Sequence, residues 1–203
     1  MAARFSFFPP ACDPPEMCAT QDFVLRPLRT SHVELDYDAV MEDPSYLRTW
    51  SQSGWPADEF TLGENLKDLE RHEREHDETL AFTFTMLSIS GERCLGCVYI
   101  TPFGMRIAAD EIPTAYLPKP DAFAADVCFW VRPSLQRDDL ESKLLHTLRK
   151  WLRSDWPFDT IFLHTSEADR RQQEICDQAG LDPIAHFQSD HPRPGKWVLY
   201  EIS

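Results

Sequence analysis

The order of elements predicts an α/β protein built on one mixed sheet. Three observations carry this. Residues 80–88 and 94–101 are strand-like runs turned back on each other at Gly91-Glu92, an antiparallel hairpin. Residues 126–164 run strand, helix, strand, and a crossover of that kind joins parallel neighbours. Helical and strand periods then alternate along the rest of the chain, with no internal repeat. At 203 residues and 42% hydrophobic, the sequence is long and apolar enough for a single packed core.

The elements follow from local chemistry. Residues 1–20, with Pro9, Pro10, Pro14 and Pro15, read as an irregular arm, and residues 21–203 as one domain. Phe5, Phe7 and Phe8 are expected to pack the arm onto that domain. Residues 23–28 form a first strand. A helix through Val33, Tyr37, Val40 and Met41 stops at Asp43-Pro44, because the residue before proline is pushed out of the helical region. Residues 50–56 read as loop. Thr61-Leu62-Gly63-Glu64 has capping-box form, and the helix it opens runs to about Asp77, with Leu62, Leu66 and Leu69 as its apolar seam. In the hairpin, Phe82, Phe84 and Met86 alternate onto one face.

Residues 102–125 are too long for a hairpin turn and read as an insertion. A central strand spans 126–131. The helix at 138–154 has a broad apolar face of Leu140, Leu144, Leu148, Trp151 and Leu152. Residues 160–164 form a buried strand. The helix at 168–179 ends at Gly180, which suits a left-handed cap, and strands at 184–188 and 196–202 close the fold.

The formal net charge of −14 argues against nucleic acid and against anionic membrane surfaces, and is compatible with a cationic acceptor. No run approaches the roughly 18 apolar residues of a membrane span. Met1 to Pro10 has no signal-peptide pattern, and the six cysteines lack framework spacing, so a reducing cytoplasmic setting is expected.

Two motifs suggest metal or redox chemistry. His72-Glu73-Arg74-Glu75-His76 fits the zinc-protease pattern H-E-x-x-H, but its flanks are densely charged and no third ligand is tied to it. An exposed, salt-bridged helix face is the expected reading, with no metal bound. Cys94 and Cys97 form a C-x-x-C pair in a strand, where residues three apart point to opposite faces, so both read as ordinary strand residues.

The segment Val131-Arg132-Pro133-Ser134-Leu135-Gln136-Arg137-Asp138-Asp139-Leu140-Glu141 resembles the signature of the Gcn5-related N-acetyltransferase (GNAT) superfamily. That signature runs Val-x-Pro, two residues, Arg or Gln, x-x-Gly-x-Gly or Ala, then an apolar helix. Val131, Pro133, Gln136 and the helix leucines match it, while Asp139 and Glu141 stand at the two small positions. The resemblance covers about residues 23–202. It implies a mostly antiparallel mixed sheet with a central parallel pair and helices on both faces. It also implies acyl transfer from acetyl-CoA to an amine acceptor.

By the same resemblance, pantetheine would pair with backbone near Phe129, Trp130 and Val131. The pyrophosphate would meet the loop formed by Gln136, Arg137, Asp138, Asp139, Leu140 and Glu141. Asp126 matches the position of the family's general base, and Cys176 replaces its usual tyrosine acid. Each of these residues also has a plainer role. Asp126 can cap a strand edge, Cys176 can be core, and first-turn acids can simply oppose the helix dipole. Carboxylates at 138, 139 and 141 repel phosphates, and Arg132, Arg137 and Lys143 lie near enough to offset them. Two functions follow: an acyl-CoA-dependent N-acyltransferase, or a binding protein of the same fold that has lost normal coenzyme A binding. The insertion at 102–125, with Tyr116, is expected to cover the acceptor side.

Overall fold

Capping and apolar patterning set the element boundaries in the computed structural model, which describes residues 7–106, 112–119, 121–190 and 194–202, and all their side chains except those of Arg137 and Asp138. Phe5 lies outside this set. The strands are β1 (Cys18–Ala19), β2 (Val24–Pro27), β3 (Phe82–Leu87), β4 (Cys94–Pro102), β5 (Ala124–Val131), β6 (Thr160–Ser166), β7 (Pro183–Ser189) and β8 (Gly195–Glu201). The helices are α1 (Val33–Val40), α2 (Pro44–Ser51), α3 (Leu62–Asp77), α4 (Leu140–Ser154) and α5 (Arg170–Gln178).

All eight strands form one sheet in the order β1-β2-β3-β4-β5-β6-β8-β7. Every neighbouring pair is antiparallel except β5 and β6, which run parallel from Ala124↔Thr160 to Val127↔Leu163. Beyond Val127 and Leu163 the two strands have no further paired residues. A wedge therefore opens between Cys128 to Val131 on one side and His164 to Ser166 on the other.

One sheet face is covered by α4 and α5. Leu144, Leu145, Leu148, Trp151 and Leu152 bury there against Phe84, Val98, Val127 and Phe129. The other face carries α1, α2 and α3, with Trp50 and Val40 packed on Cys97, Tyr99, Cys128 and Trp130. Within the arm, Phe7 and Phe8 pack on Phe82, with ring centroids 5.4 and 5.0 Å away. The first strand, β1, is also drawn from the arm.

Three readings are corrected. Asp43-Pro44 ends α1 but also begins α2, because Asp43 accepts from the Tyr46 N–H and Pro44 needs no hydrogen bond at the first helical position. That helix occupies part of what read as loop. The capping box on α3 is present, yet its buried face is Asn65, Leu69, His72 and His76, while Leu62 is exposed. The H-E-x-x-H histidines thus face inward. His72 Nδ1 lies 3.0 Å from the Thr83 hydroxyl, and His76 packs edge-on against Phe82 and Phe84. Burial lowers the pKa of both rings, His76 to about 4.

The third correction concerns Cys94 and Cys97. Between β3 and β4 the register jumps from Met86↔Gly96 to Leu87↔Cys94, so Leu95 is an extra residue on β4. A bulge of one residue reverses the alternation beyond it. Both cysteines consequently land on the same face, beside Asp36 of α1.

Candidate functional site

The wedge between β5 and β6 is the feature around which polar side chains collect. At its apex stand Cys128 and His164, the first residues beyond the last paired positions. Alternation along β5 and β6 points Asp126, Cys128 and His164 toward the face carrying α2. The His164 Nδ1–H donates to Asp126 Oδ1 at 2.7 Å, and the ring packs edge-on against Trp197, with 5.3 Å between ring centroids. Both partners are almost wholly buried, His164 2% exposed and Asp126 1%. Burial alone would drive the ring toward neutrality. The Asp126 carboxylate and the adjoining Cys128 thiol outweigh it, and the pKa rises to about 9. Asp126 Oδ2 is buried without a hydrogen-bond partner.

Along the wedge, the strand edge that the sequence assigned to pantetheine is reached by α5. Gln172 Nε2 donates to the Phe129 carbonyl at 2.7 Å. Asp169 caps α5 by accepting from the Gln172 N–H, which fixes this side chain at the first turn. An amide donor of the chain itself therefore satisfies this backbone acceptor.

At the mouth of the wedge, residues Pro133–Asp138 form a 3-10 turn. Asp139 follows in the left-handed region, φ 54°, where α4 begins, and Leu140 enters the core. Glu141 turns inward. It is 0% exposed, and Arg171 Nε of α5 donates to its Oε2 at 2.5 Å. Arg171 also donates to the Gln136 carbonyl. Burial raises the Glu141 pKa to about 7 although Arg171 opposes the shift. Gln136 lies by the Tyr46 hydroxyl of α2. Glu42, in the turn after α1, accepts from the Ser134 N–H at 3.1 Å and from Arg132 at 3.0 Å, while Asp38 of α1 takes the other arm of Arg132. Lys143 pairs with Asp22 at 2.7 Å. Arg132 and Lys143 are therefore committed to carboxylates. The Arg137 and Asp138 side chains lie outside the described set.

The remaining expected residues fall as follows. Trp130 is buried toward α1 and α2, its indole N–H donating to the Tyr99 hydroxyl at 3.2 Å. Val131 packs toward α4. Cys176 lies on the buried face of α5, where burial pushes its thiol up to about 12. Tyr116 is exposed and lines a separate groove with Phe162 and Glu201. The His164–Asp126 pair was not anticipated. Its one sequence signal is an aspartate and a histidine, each set in a strand of mostly apolar residues.

Two further groups adjoin the apex. Tyr99, cross-strand partner of Cys128, forms part of the wall of a cavity of about 170 Å³ beneath α1, α2 and α3. Trp50, Trp55, Asp36, Asp68 and Arg106 also line it. Next to it, single ligand atoms of Asp36, Cys94 and Cys97 lie within 4.8 Å of one another. Two sulfurs and a carboxylate oxygen are three of the four donors of a tetrahedral zinc site. Among the described residues, no helix is long and apolar enough to cross a membrane.

No family model matches the chain, and no curated protein matches it. Solved structures do share its fold. A RimL ribosomal L7/L12 α-N-protein acetyltransferase superposes with TM-score 0.68 at 13% identity, over 92% of this chain and 93% of that one. A ribosomal-protein-S5-alanine acetyltransferase from Vibrio fischeri gives TM-score 0.68 at 12% identity, over 91% and 94%. The microcin C7 self-immunity acetyltransferase MccE, solved with acetyl-CoA and AMP, gives 0.67 at 10% identity, over 90% and 92%.

Proposed function

We propose that this chain, which has the Gcn5-related N-acetyltransferase fold, is an acyl-CoA-dependent N-acyltransferase. The observation that carries the reading is the wedge between β5 and β6, with a buried His164–Asp126 pair at its apex and a polar cavity alongside. The pantetheine arm of coenzyme A fits the wedge by chemistry. The Phe129 carbonyl accepts an amide N–H, and Gln172 now supplies one. The pyrophosphate end fits once Glu141 yields Arg171, whose guanidinium is suited to bidentate phosphate binding. Bound acetyl-CoA supplies an acyl thioester, whose C–S bond breaks as the acceptor nitrogen forms a C–N bond.

The chain's own part is proton handling and orientation. His164 holds a proton at the apex up to about pH 9, and Asp126 fixes the ring by accepting its Nδ1–H. The charged ring gives its Nε2 proton to the departing sulfur and recovers there the one that the amine nitrogen loses, while the Nδ1–H stays hydrogen-bonded to Asp126. Trp197 and Trp130, packed around the apex, exclude water. Release of free thiol from acetyl-CoA, followed with a panel of amines and a chromogenic disulfide, tests this. Activity should fall at least tenfold in His164→Asn. Full activity in that variant would remove His164 from the reaction.

A second reading has its own support. Gln172 on the Phe129 carbonyl, Glu42 on the Ser134 N–H and Glu141 on Arg171 each satisfy internally a group that coenzyme A would use. A protein whose wedge stays closed in this way would bind other ligands in the cavity and transfer nothing. Absence of acetyl-CoA binding would select that reading.

A further inference from the structure

Arg106 carries the most unusual charge in the molecule. It is 8% exposed and lines the cavity beneath α1, α2 and α3. Its guanidinium lies over the Tyr99 ring, 4.6 Å from the centroid, and its Nη1 is buried with no hydrogen-bond partner. Among the described residues it makes no ion pair. By contrast Arg71, which lines the same cavity, is paired to Asp68 and Glu75 at 3.4 Å. A buried charge without a counter-ion is strongly disfavoured unless something completes it, and ring attraction does so only in part. Among the described residues, Nη1 is thus a buried donor without a partner, beside a partly open cavity of about 170 Å³.

We infer that this cavity binds a small molecule bearing a carboxylate, with Arg106 as the carboxylate's anchor. A guanidinium meets a carboxylate through two parallel N–H···O bonds, the strongest neutralisation available to a buried arginine. Asp36 and Asp68 line the same space, so a ligand that also carries an amine meets acidic partners there. Trp50, Trp55 and Leu69 provide walls for a compact apolar side chain. These features together describe a free amino acid. The cavity adjoins the wedge through Tyr99, which pairs with Cys128 across the β4–β5 ladder. The amino acid is then the acceptor, an assignment that rests on the acyl-transfer reading, whereas the carboxylate site does not.

Calorimetric titration of the full chain with glycine, alanine, leucine, phenylalanine and glutamate, each beside its α-carboxamide, tests the site with and without coenzyme A. At least one amino acid should bind, and its carboxamide should bind at least about tenfold more weakly. Arg106→Gln should erase that preference, and Arg106→Lys should keep part of it. Equal binding of acid and amide by the wild-type chain would overturn the site, and so would no binding of any amino acid at about 10 mM. A preference that survives Arg106→Gln would overturn it too. The wild-type comparison stands even if a variant does not fold. Acetyl-CoA is titrated separately. Amino-acid binding without acetyl-CoA binding would retain the carboxylate site and discard acyl transfer. Acetyl-CoA binding without amino-acid binding would do the reverse.

Discussion

The Nδ1–H of His164 donates to Asp126 Oδ1 at 2.7 Å, joining two strands through side chains where their backbones are about to part. The pair closes the sealed end of the wedge, so it is structural as well as chemical. Removing one member leaves the other buried without its partner. Asp126→Asn should therefore cost about 3 kcal/mol or more in urea unfolding.

The same pair makes stability depend on pH. The folded pKa of His164, about 9, lies above its ordinary 6.5. The stabilisation is full below about 6.5 and is lost as pH rises through about 9. Unfolding midpoints measured across that window should decline in the wild type. Asp126→Asn should flatten the decline, and an unchanged slope would assign it to other groups.

Glu141 gives a pH dependence to coenzyme A binding. Its pKa is raised to about 7, so the carboxyl is largely neutral below that value and charged above it. Charge at the head of α4 opposes phosphates, so acetyl-CoA affinity should fall as pH rises through about 7. Glu141→Gln should bind about tenfold more tightly than the wild type above that pH, and about equally below it. The folded pKa is raised, so the charged form destabilises the fold. Wild-type stability should drop between about 4.5 and 7, and the variant should be spared this loss.

Gln172 competes for the strand edge. Gln172→Ala leaves the Phe129 carbonyl without its donor and should cost about 1–2 kcal/mol of stability. Acetyl-CoA should bind more tightly to it, because its amide then fills a vacant acceptor. Calorimetry on the variant checks this, and weaker binding would mean that Gln172 itself contacts the ligand.

Gly96 marks how closely β4 and β5 approach. A Cβ there would run into the Trp130 carbonyl, which is backbone and cannot swing aside. Gly96→Ala should lower stability by about 2–3 kcal/mol, seen as a reduced Tm.

The fold was legible where local rules act alone. The capping box at Thr61 and Glu64, the Gly180 stop, the hairpin and the 126–164 crossover each follow from neighbouring residues. What depended on tertiary register was not. One extra residue at Leu95 put Cys94 and Cys97 on the same face. Charged flanks concealed that His72 and His76 lie on the buried side of α3, because the positions four and seven apart that share this face include Asn65 as well as Leu69. Asp43-Pro44 carries the same residues for ending one helix and starting another. The His164–Asp126 pair spans 38 residues and requires the parallel register, which no local pattern encodes. Glu141 stood out in the sequence as a carboxylate at a position where the resemblance expects a small residue. Its inward turn onto Arg171 depends on where α5 docks.

Isothermal titration of acetyl-CoA into the full chain tests the acyltransferase reading most directly. The account predicts one-site binding, tighter in Glu141→Gln above about pH 7. No heat of binding at millimolar acetyl-CoA, in the wild type and in Gln172→Ala alike, would contradict it.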